Sequence, residues 1–233
     1  GIPEDKWVFV HGAANASEPD ILDRADMGAY PAAAAALDAA LAAAGKTTAQ
    51  MDAFDFYSCF PIAVFSTAID HLGLSADDPR GLTVTGGLPY FGGAGNGYSS
   101  HAIAEMVDRL RAKPGSFGLV GANGGFQSKY AALVLSTQPA PFPGWSEARR
   151  PDDGAPVFAD LVEGDGRIET YTIVHGREGP TYAIAIGRLP DGKRFIARSD
   201  DPASLAAMQA RDPLGAQVAL SNDGERNAFT LAG

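Results

Sequence analysis

The pattern of apolar segments changes once along the chain, and this change limits the folds that the chain can adopt. Up to about residue 136, short apolar runs typical of strands alternate with stretches whose apolar residues recur at helical spacing. In the range 61–72, for example, Ile62, Phe65, Ile69 and Leu72 form one apolar face of a helix. Strands that alternate with helices predict an α/β layered fold with a largely internal sheet.

The order of elements in this first part follows from the same patterns. Helices are predicted over 31–44, 61–72 and 99–112, and the first of them starts at Pro31 and is closed by Gly45. Strands are predicted over 7–10, 54–58, 81–85, 117–121 and 131–136, with loops over 15–26 and 122–125.

After residue 138 the composition shifts to Pro, Gly, Asp and Arg, and then the pattern becomes mostly β. Strands are predicted over 168–175, 182–188, 194–199 and 217–220, with one helix over 204–211. We therefore predict an α/β domain over 1–137, a linker over 138–158 and a β-rich accessory domain over 159–233. Several short strands with one helix favour a small barrel of oligonucleotide-binding (OB) or split-barrel type for that domain.

Composition excludes several classes of partner. The 233 residues carry a net charge of −10, which argues against a nucleic-acid groove or an anionic membrane surface as the main partner. No segment supplies the roughly 20 apolar residues that a membrane span requires. The single cysteine, Cys59, excludes an internal disulfide and is compatible with a reducing cytoplasm, where we expect the protein to reside.

A glycine-rich loop over 86–97 lies between the predicted strand 81–85 and the predicted helix 99–112. Glycines permit a positive φ and a close approach of ligand to backbone N–H groups, and a helix N-terminus favours anions. Tight turns use the same residues, so the loop by itself indicates a structural turn as readily as a binding loop.

Three blocks, taken together, resemble a known family. They are the sequence Asp55-Phe56-Tyr57-Ser58-Cys59-Phe60-Pro61, the loop 86–97, and Ala122-Asn123-Gly124-Gly125-Phe126. Their order and spacing resemble the three C-terminal active-site loops of the thiolase superfamily. The whole chain is similar to the bacterial acetyl-CoA acetyltransferase-like branch called thiolase-like proteins, whose additional C-terminal domain the β-rich part resembles.

The resemblance implies an acyl transfer site that is incomplete in this chain. In the family, a reactive cysteine in the N-terminal half is activated by a histidine, and a second cysteine moves protons. The resemblance places Gly93 at the histidine position and Ala122, or Asn123 if the register slips by one, at the second cysteine. Tyr57 takes a position that helps to hold an oxyanion-hole water, and its phenol can donate a hydrogen bond.

The candidate site residues come from these blocks. We expect catalytic roles for Tyr57, Asn96 and His101, and substrate contacts from Gly92, Gly93, Asn123 and Gly124. His101 can be interpreted as a displaced base or as a packing residue. Cys59 can be interpreted as a nucleophile, but a free cysteine is more typically a small, buried and unreactive core residue. No metal site and no covalently bound cofactor are expected; a coenzyme A thioester is the implied substrate or ligand.

The function implied by the resemblance is part of an acyl-CoA acyltransferase, with this chain inactive by itself. Its partners would be acyl-CoA and an N-terminal thiolase half, on the same protein or on a separate chain, with a homo- or hetero-oligomer left open. The alternative hypothesis is a non-catalytic acyl-CoA-binding, lipid-binding or assembly subunit, because both the histidine and the second cysteine are missing.

Overall fold

The computed structural model describes residues 1–231, and the chain divides into two compact units. Unit 1 comprises residues 1–21 and 28–153, and unit 2 comprises residues 22–27 and 154–233. Unit 2 therefore includes a short segment, 22–27, that comes from between two parts of unit 1.

Unit 1 contains a mixed five-stranded sheet in the order β2-β3-β4-β1-β5. Its strands are β1 (Phe9–Ser17), β2 (Ala53–Asp55), β3 (Phe117–Gly124), β4 (Lys129–Ser136) and β5 (Ser146–Glu147). The pairs β2–β3 and β1–β5 are parallel, whereas β3–β4 and β1–β4 are antiparallel. Since β5 lies at 146–147, part of the predicted linker joins this sheet.

The helices of unit 1 are α1 (Pro31–Ala43), α2 (Pro61–Val64) with a π-helical continuation (Phe65–His71), α3 (Leu88–Phe91) and α4 (Tyr98–Ala112). Three of these helices were predicted, and α3 was not, because it lies within the glycine-rich loop 86–97. Short 3₁₀ turns occupy Glu4–Lys6 and Thr48–Gln50, and a third, Ile21–Asp23, includes the first two residues of the segment 22–27.

Both faces of the sheet are covered. Successive residues of a strand point to opposite faces, and on β3 Leu119 joins the core with Leu37 of α1, whereas Val120 joins the core with Met106 and Leu110 of α4. The prediction of a layered α/β fold with an internal sheet is confirmed.

Glu18, just after β1, ties the start of α1 to the chain near residue 150. Its carboxylate accepts the backbone N–H of Ala32 at 2.6 Å, in the first turn of α1, and pairs with the Arg150 guanidinium at 3.2 Å. A carboxylate at a helix N-terminus satisfies a free N–H and meets the positive end of the helix dipole. Because Glu18 lies 14 residues before Ala32 in the chain, a local capping motif in the sequence does not predict this cap.

Three local predictions are wrong. The segment 81–85 is not a strand, because the amides of Val84 and Thr85 donate to the side-chain carboxylate of Asp55 instead of to a neighbouring strand. The strand β1 continues to Ser17, where a loop was predicted from residue 15, since it pairs along its length with β4. The predicted loop 122–125 largely belongs to β3, which pairs with β4 as far as Gly124.

Unit 2 is a closed five-stranded barrel in the order β10-β8-β7-β6-β9. Its elements are β6 (Gly164–Gly176), β7 (Gly179–Arg188), β8 (Arg194–Ser199), α5 (Pro202–Ala210), β9 (Gln217–Asn222) and β10 (Asn227–Leu231). Helix α5 begins after Asp201, whose carboxylate accepts the backbone N–H of Ser204 at 2.8 Å. The predicted small β-rich domain is confirmed; its assignment to the OB type stays a prediction.

A buried arginine holds the segment 22–27 to the barrel. Arg194 is 0% exposed and forms a bidentate ion pair with Glu169 at 2.6 and 2.9 Å. Its remaining N–H groups donate to the carbonyl oxygens of Leu22 at 2.7 Å and Arg24 at 2.8 Å. Every donor of this buried cation is therefore directed at a charged or backbone acceptor.

Asn227 closes the barrel where β8 and β10 meet. These two strands share a single register pair, Ala228 with Arg198. The Asn227 amide oxygen accepts the N–H of Val162 at 2.9 Å, and its NH₂ group donates to the carbonyls of Asp160 at 2.9 Å and Ile196 at 3.1 Å. The side chain of Asn227 thus provides hydrogen bonds where β8 and β10 share little of a backbone hydrogen-bond ladder.

We expect Asn227→Ala to destabilise unit 2 by about 1–3 kcal/mol, because the buried amide of Val162 would lose its acceptor. Asn227→Asp should cost at least as much, since a carboxylate oxygen would then face two carbonyl oxygens. Far-UV circular dichroism during urea unfolding would measure the change. Gln217→Ala, an exposed position on β9, serves as the control and should stay within about 0.5 kcal/mol of the parent; equal behaviour of the two variants would contradict this role of Asn227.

Candidate functional site

A buried carboxylate organises the first two of the three sequence blocks. Asp55, the last residue of β2, is 0% exposed. One of its oxygens accepts the backbone N–H of Val84 at 3.0 Å and of Thr85 at 3.2 Å, and the Thr85 hydroxyl lies 3.2 Å from it. The other accepts the Tyr98 phenol at 3.0 Å. Asp55 thus anchors both the segment before the glycine loop and the first residue of α4.

The groups in this cluster are difficult to ionise. Burial raises the pKa of the Asp55 carboxyl above its ordinary value, although the surrounding N–H and O–H donors oppose the rise. Burial likewise raises the pKa of the Tyr98 phenol, whose oxygen lies 2.6 Å from the Thr85 hydroxyl. The cluster is therefore a structural anchor for the site loops, and its buried polar groups are satisfied by hydrogen bonds to one another and to backbone N–H groups.

The three blocks meet at Ser58 and Cys59. The Ser58 hydroxyl accepts the backbone N–H of Leu88, the first residue of α3, at 2.8 Å. Cys59 accepts a hydrogen bond from the Asn123 side-chain amide, with an N to S distance of 3.5 Å. Two adjacent residues of the first block therefore touch the glycine loop and the end of β3.

Tyr57 lies at the same junction. Its ring packs edge-on against the ring of Tyr98, with centroids 5.1 Å apart. Burial, together with the nearby sulfur of Cys59, raises the pKa of the Tyr57 phenol. A phenol that keeps its proton is a hydrogen-bond donor, which is what the oxyanion role expected of Tyr57 requires.

Three predicted site residues lie on the glycine loop, and a fourth, His101, lies in α4. Gly92, Gly93, Asn96 and His101 are exposed, and the ring of His101 lies against Phe91, with centroids 5.8 Å apart. Among the residues that the structure describes, no hydrogen bond or ring contact joins Asn96 or His101 to Tyr57 or Asn123.

Two glycines of the predicted site have little free space. A Cβ atom added at Gly93 would lie 2.9 Å from the Cβ of Tyr98, so a side chain there would require the backbone to move. At Gly124 a Cβ would lie 2.7 Å from the end of the Lys129 side chain, which is flexible enough to move aside. Gly92 has a φ of +88°, a conformation that other residues rarely adopt.

Four residues that position the site were not predicted from the sequence. They are Tyr30, Asp55, Ser58 and Tyr98. An Asp that ends an apolar strand, as Asp55 does, is a usable signal, because a buried carboxylate needs several donors nearby. Tyr30 gives no such signal, since its partner is Asn123, 93 positions further along the chain.

Residues 1–231, which the structure describes, were compared with the requirements of a metal site and of a membrane-spanning helix. Within them no group of three or more His, Cys, Asp or Glu side chains is placed to hold a metal ion. None of the helices in the same range combines the length and the apolar character that crossing a bilayer demands.

Comparison with known proteins identifies the relatives of this chain. The family model of the thiolase-like protein type 1 additional C-terminal domain matches residues 150–225. The crystal structure of a monomeric SCP2-thiolase like protein type 1 from Mycobacterium smegmatis is 43% identical, with a TM-score of 0.89, over 100% of this chain and 52% of that chain. This chain thus spans about half the length of that relative.

A more distant likeness is to the peroxisomal 3-ketoacyl-CoA thiolase of Saccharomyces cerevisiae. It is 21% identical over 55% of this chain and 34% of that chain, with a TM-score of 0.43. None of the curated proteins compared with the chain is significantly similar to it. The family model and the 43% identical structure confirm the resemblance to the thiolase superfamily and identify this chain as a relative of thiolase-like protein type 1 that carries the additional C-terminal domain.

Proposed function

We propose that this chain handles a coenzyme A thioester and supplies loop walls and oxyanion contacts to an acyltransferase of the thiolase fold. The convergence of the three blocks at Ser58 and Cys59 carries the proposal, since it brings Tyr57 and Asn123 to one junction. A phenol and an amide N–H are both donors suited to a thioester carbonyl.

This chain covers 52% of the Mycobacterium smegmatis relative. The nucleophile would come from a segment equivalent to the part of that relative that this chain does not cover. Several large apolar side chains in the first two blocks and in the helical segment that follows the first block are exposed and suit burial by such a partner: Phe60, Ile62, Phe65, Tyr90 and Phe91. The partner would be the N-terminal half of a thiolase fold, on the same protein or on another chain. A cytoplasmic location, consistent with one half-buried free cysteine, belongs to the same proposal.

A second candidate function is non-catalytic binding of acyl-CoA or lipid, or a role as an assembly subunit. The packing at Gly93 favours it. Because a Cβ there would lie 2.9 Å from the Cβ of Tyr98, the loop is shaped around the absence of a side chain at the position where the family resemblance puts the histidine. Such a site would bind a thioester without activating a nucleophile.

Calorimetry with acetyl-CoA and a thiolase assay with acetoacetyl-CoA and coenzyme A separate these functions. Saturable binding of acetyl-CoA is expected for the acyltransferase and for the acyl-CoA-binding protein, and turnover only for the acyltransferase, when its nucleophile-bearing segment is present. Absence of binding at millimolar ligand would reject both of these functions and would leave the assembly role.

We expect Gly93→His to give no turnover and to destabilise unit 1 by about 1–3 kcal/mol, because the new side chain overpacks against Tyr98. Trp7 and Trp145 both lie in unit 1, so tryptophan fluorescence during urea unfolding reports on it. Gly95→His, where an added Cβ meets nothing within 4 Å but φ is +53°, separates backbone strain from overpacking. A Gly93→His variant as stable as the parent would contradict the close packing at this position.

A further inference from the structure

Tyr30 connects the start of α1 to the candidate site. It lies immediately before Pro31, is 6% exposed, and packs its ring edge-on against Tyr130, with centroids 5.8 Å apart. Its phenol oxygen lies 2.8 Å from the amide oxygen of Asn123 and 2.7 Å from the carbonyl oxygen of Lys129. The ring is therefore fixed by packing, and its hydroxyl is placed at the Asn123 side chain.

A carbonyl oxygen only accepts, so the single phenol proton is shared between two acceptors or serves one of them. When it serves the Asn123 oxygen, the amide is oriented with its nitrogen toward Cys59, at 3.5 Å from the sulfur. When it serves Lys129 alone, the Asn123 amide can turn round, so that its NH₂ group donates to the phenol oxygen and its oxygen faces the thiol. The two arrangements place opposite groups at the junction of the three blocks.

We propose that Tyr30 is a positioning residue that fixes the Asn123 amide with its NH₂ group toward Cys59, so that one N–H is left for the carbonyl oxygen of a bound thioester. The ligand part of this inference rests on the proposed function. An NH₂ group has two hydrogens, and in the part of the chain that the structure describes only the contact with Cys59 uses one. A preoriented donor stabilises a polarised carbonyl without the cost of ordering a free side chain.

The orientation can be tested without any ligand, because Cys59 is the only cysteine of the chain. An N–H that donates to the sulfur favours the reactive thiolate, whereas an amide oxygen in the same place favours the thiol. Tyr30→Phe keeps the ring against Tyr130 and removes only the hydroxyl. We expect iodoacetamide to alkylate Cys59 roughly threefold more slowly at neutral pH in Tyr30→Phe.

Tyr182→Phe, in unit 2, is the matched control and should leave the alkylation rate unchanged. An unchanged or faster rate in Tyr30→Phe would overturn the proposed orientation. Asn123→Ala should slow alkylation as much as Tyr30→Phe does, and the double variant should add little to this effect.

The ligand part is tested by calorimetry with acetyl-CoA and with coenzyme A, which lacks the thioester carbonyl. Tyr30→Phe should weaken acetyl-CoA binding about three- to tenfold and leave coenzyme A binding unchanged. Equal weakening of both ligands would overturn the carbonyl contact. If the parent protein binds neither ligand, the proposed function fails, and the alkylation rate still decides the role of Tyr30.

Discussion

Replacement of Asp55 by alanine should destabilise unit 1 by about 3–5 kcal/mol, because the buried amide of Val84 and the phenol of Tyr98 would lose their acceptor together. Both donors lie within 3.0 Å of the carboxylate and belong to residues that are at most 8% exposed. No other acceptor replaces Asp55 at the Val84 amide, since the segment 81–85 is not part of the sheet.

Asp55→Asn should cost much less than the alanine variant. An amide oxygen can keep the bonds to Val84 and Thr85, and the new NH₂ group can donate to the Tyr98 oxygen, which then donates to the Thr85 hydroxyl at 2.6 Å. Asp70→Ala, at an exposed position, should stay within about 0.5 kcal/mol of the parent. Urea unfolding followed by the fluorescence of Trp7 and Trp145 measures all three variants in unit 1.

The same carboxylate predicts a pH dependence of definite sign. Because burial raises the pKa of Asp55 in the folded protein above its value in the unfolded chain, the folded state binds the proton more tightly. Its contribution to stability is therefore present at low pH and is lost as the pH rises from about 4 through the raised pKa. Asp55→Asn should remove this slope from unit 1; a slope that persists unchanged would show that another group causes it.

The sequence predicted the layers of unit 1 because periodic apolar residues report burial directly. Leu119 and Val120, neighbours on β3, belong to different cores on opposite faces of the sheet. The same reasoning misassigned the segment 81–85, since an apolar run looks like a strand whether its amides meet a ladder or a carboxylate. Only the position of Asp55 in the folded chain separates the two cases.

The sequence indicated which three blocks form the candidate site, but it did not indicate the hydrogen bonds that connect them. Tyr57 and Asn123 were expected, and the structure brings them to one junction through Cys59. Asn96 and His101 were also expected in the site; Asn96 is exposed on the glycine loop, and His101 is exposed in α4. Hydrogen bonds between residues tens of positions apart, such as Ser58 to Leu88, leave no periodic trace in a single sequence, so the geometry of the loops could not be predicted from it.

Unit 2 should respond most strongly to the loss of Arg194. We expect Arg194→Met to destabilise this unit by about 3–5 kcal/mol, because the change leaves the carbonyls of Leu22 and Arg24 without their donor and removes one of two cations from Glu169. Arg198→Met changes the same residue type on the same strand, where the guanidinium and its partner Asp200 are both more than 40% exposed, and should cost less than about 1 kcal/mol.

Trypsin provides a local readout of the segment 22–27. Arg24 is 4% exposed, so the bond after it is protected while Arg194 holds this segment to the barrel. In limited proteolysis, trypsin should cleave after Arg24 in Arg194→Met and not in Arg198→Met. Hydrogen exchange should show a loss of protection in β7 and β8 of Arg194→Met. Continued protection of Arg24 in Arg194→Met would mean that other contacts hold the segment.

Glu169 gives this unit a pH dependence opposite in sign to that of Asp55. Burial acts to raise the pKa of Glu169, but the hydrogen bonds and charges of Arg194 and Arg188 outweigh it and lower the pKa below its ordinary value of 4.5. The stabilisation is therefore complete above about pH 4.5 and is lost as the pH falls through the lowered pKa. Between pH 5 and 3, hydrogen exchange should show protection falling in β7 and β8, and Glu169→Gln should flatten this fall. Loss of protection with the same slope in Glu169→Gln would assign the acid sensitivity of the barrel to a different carboxylate.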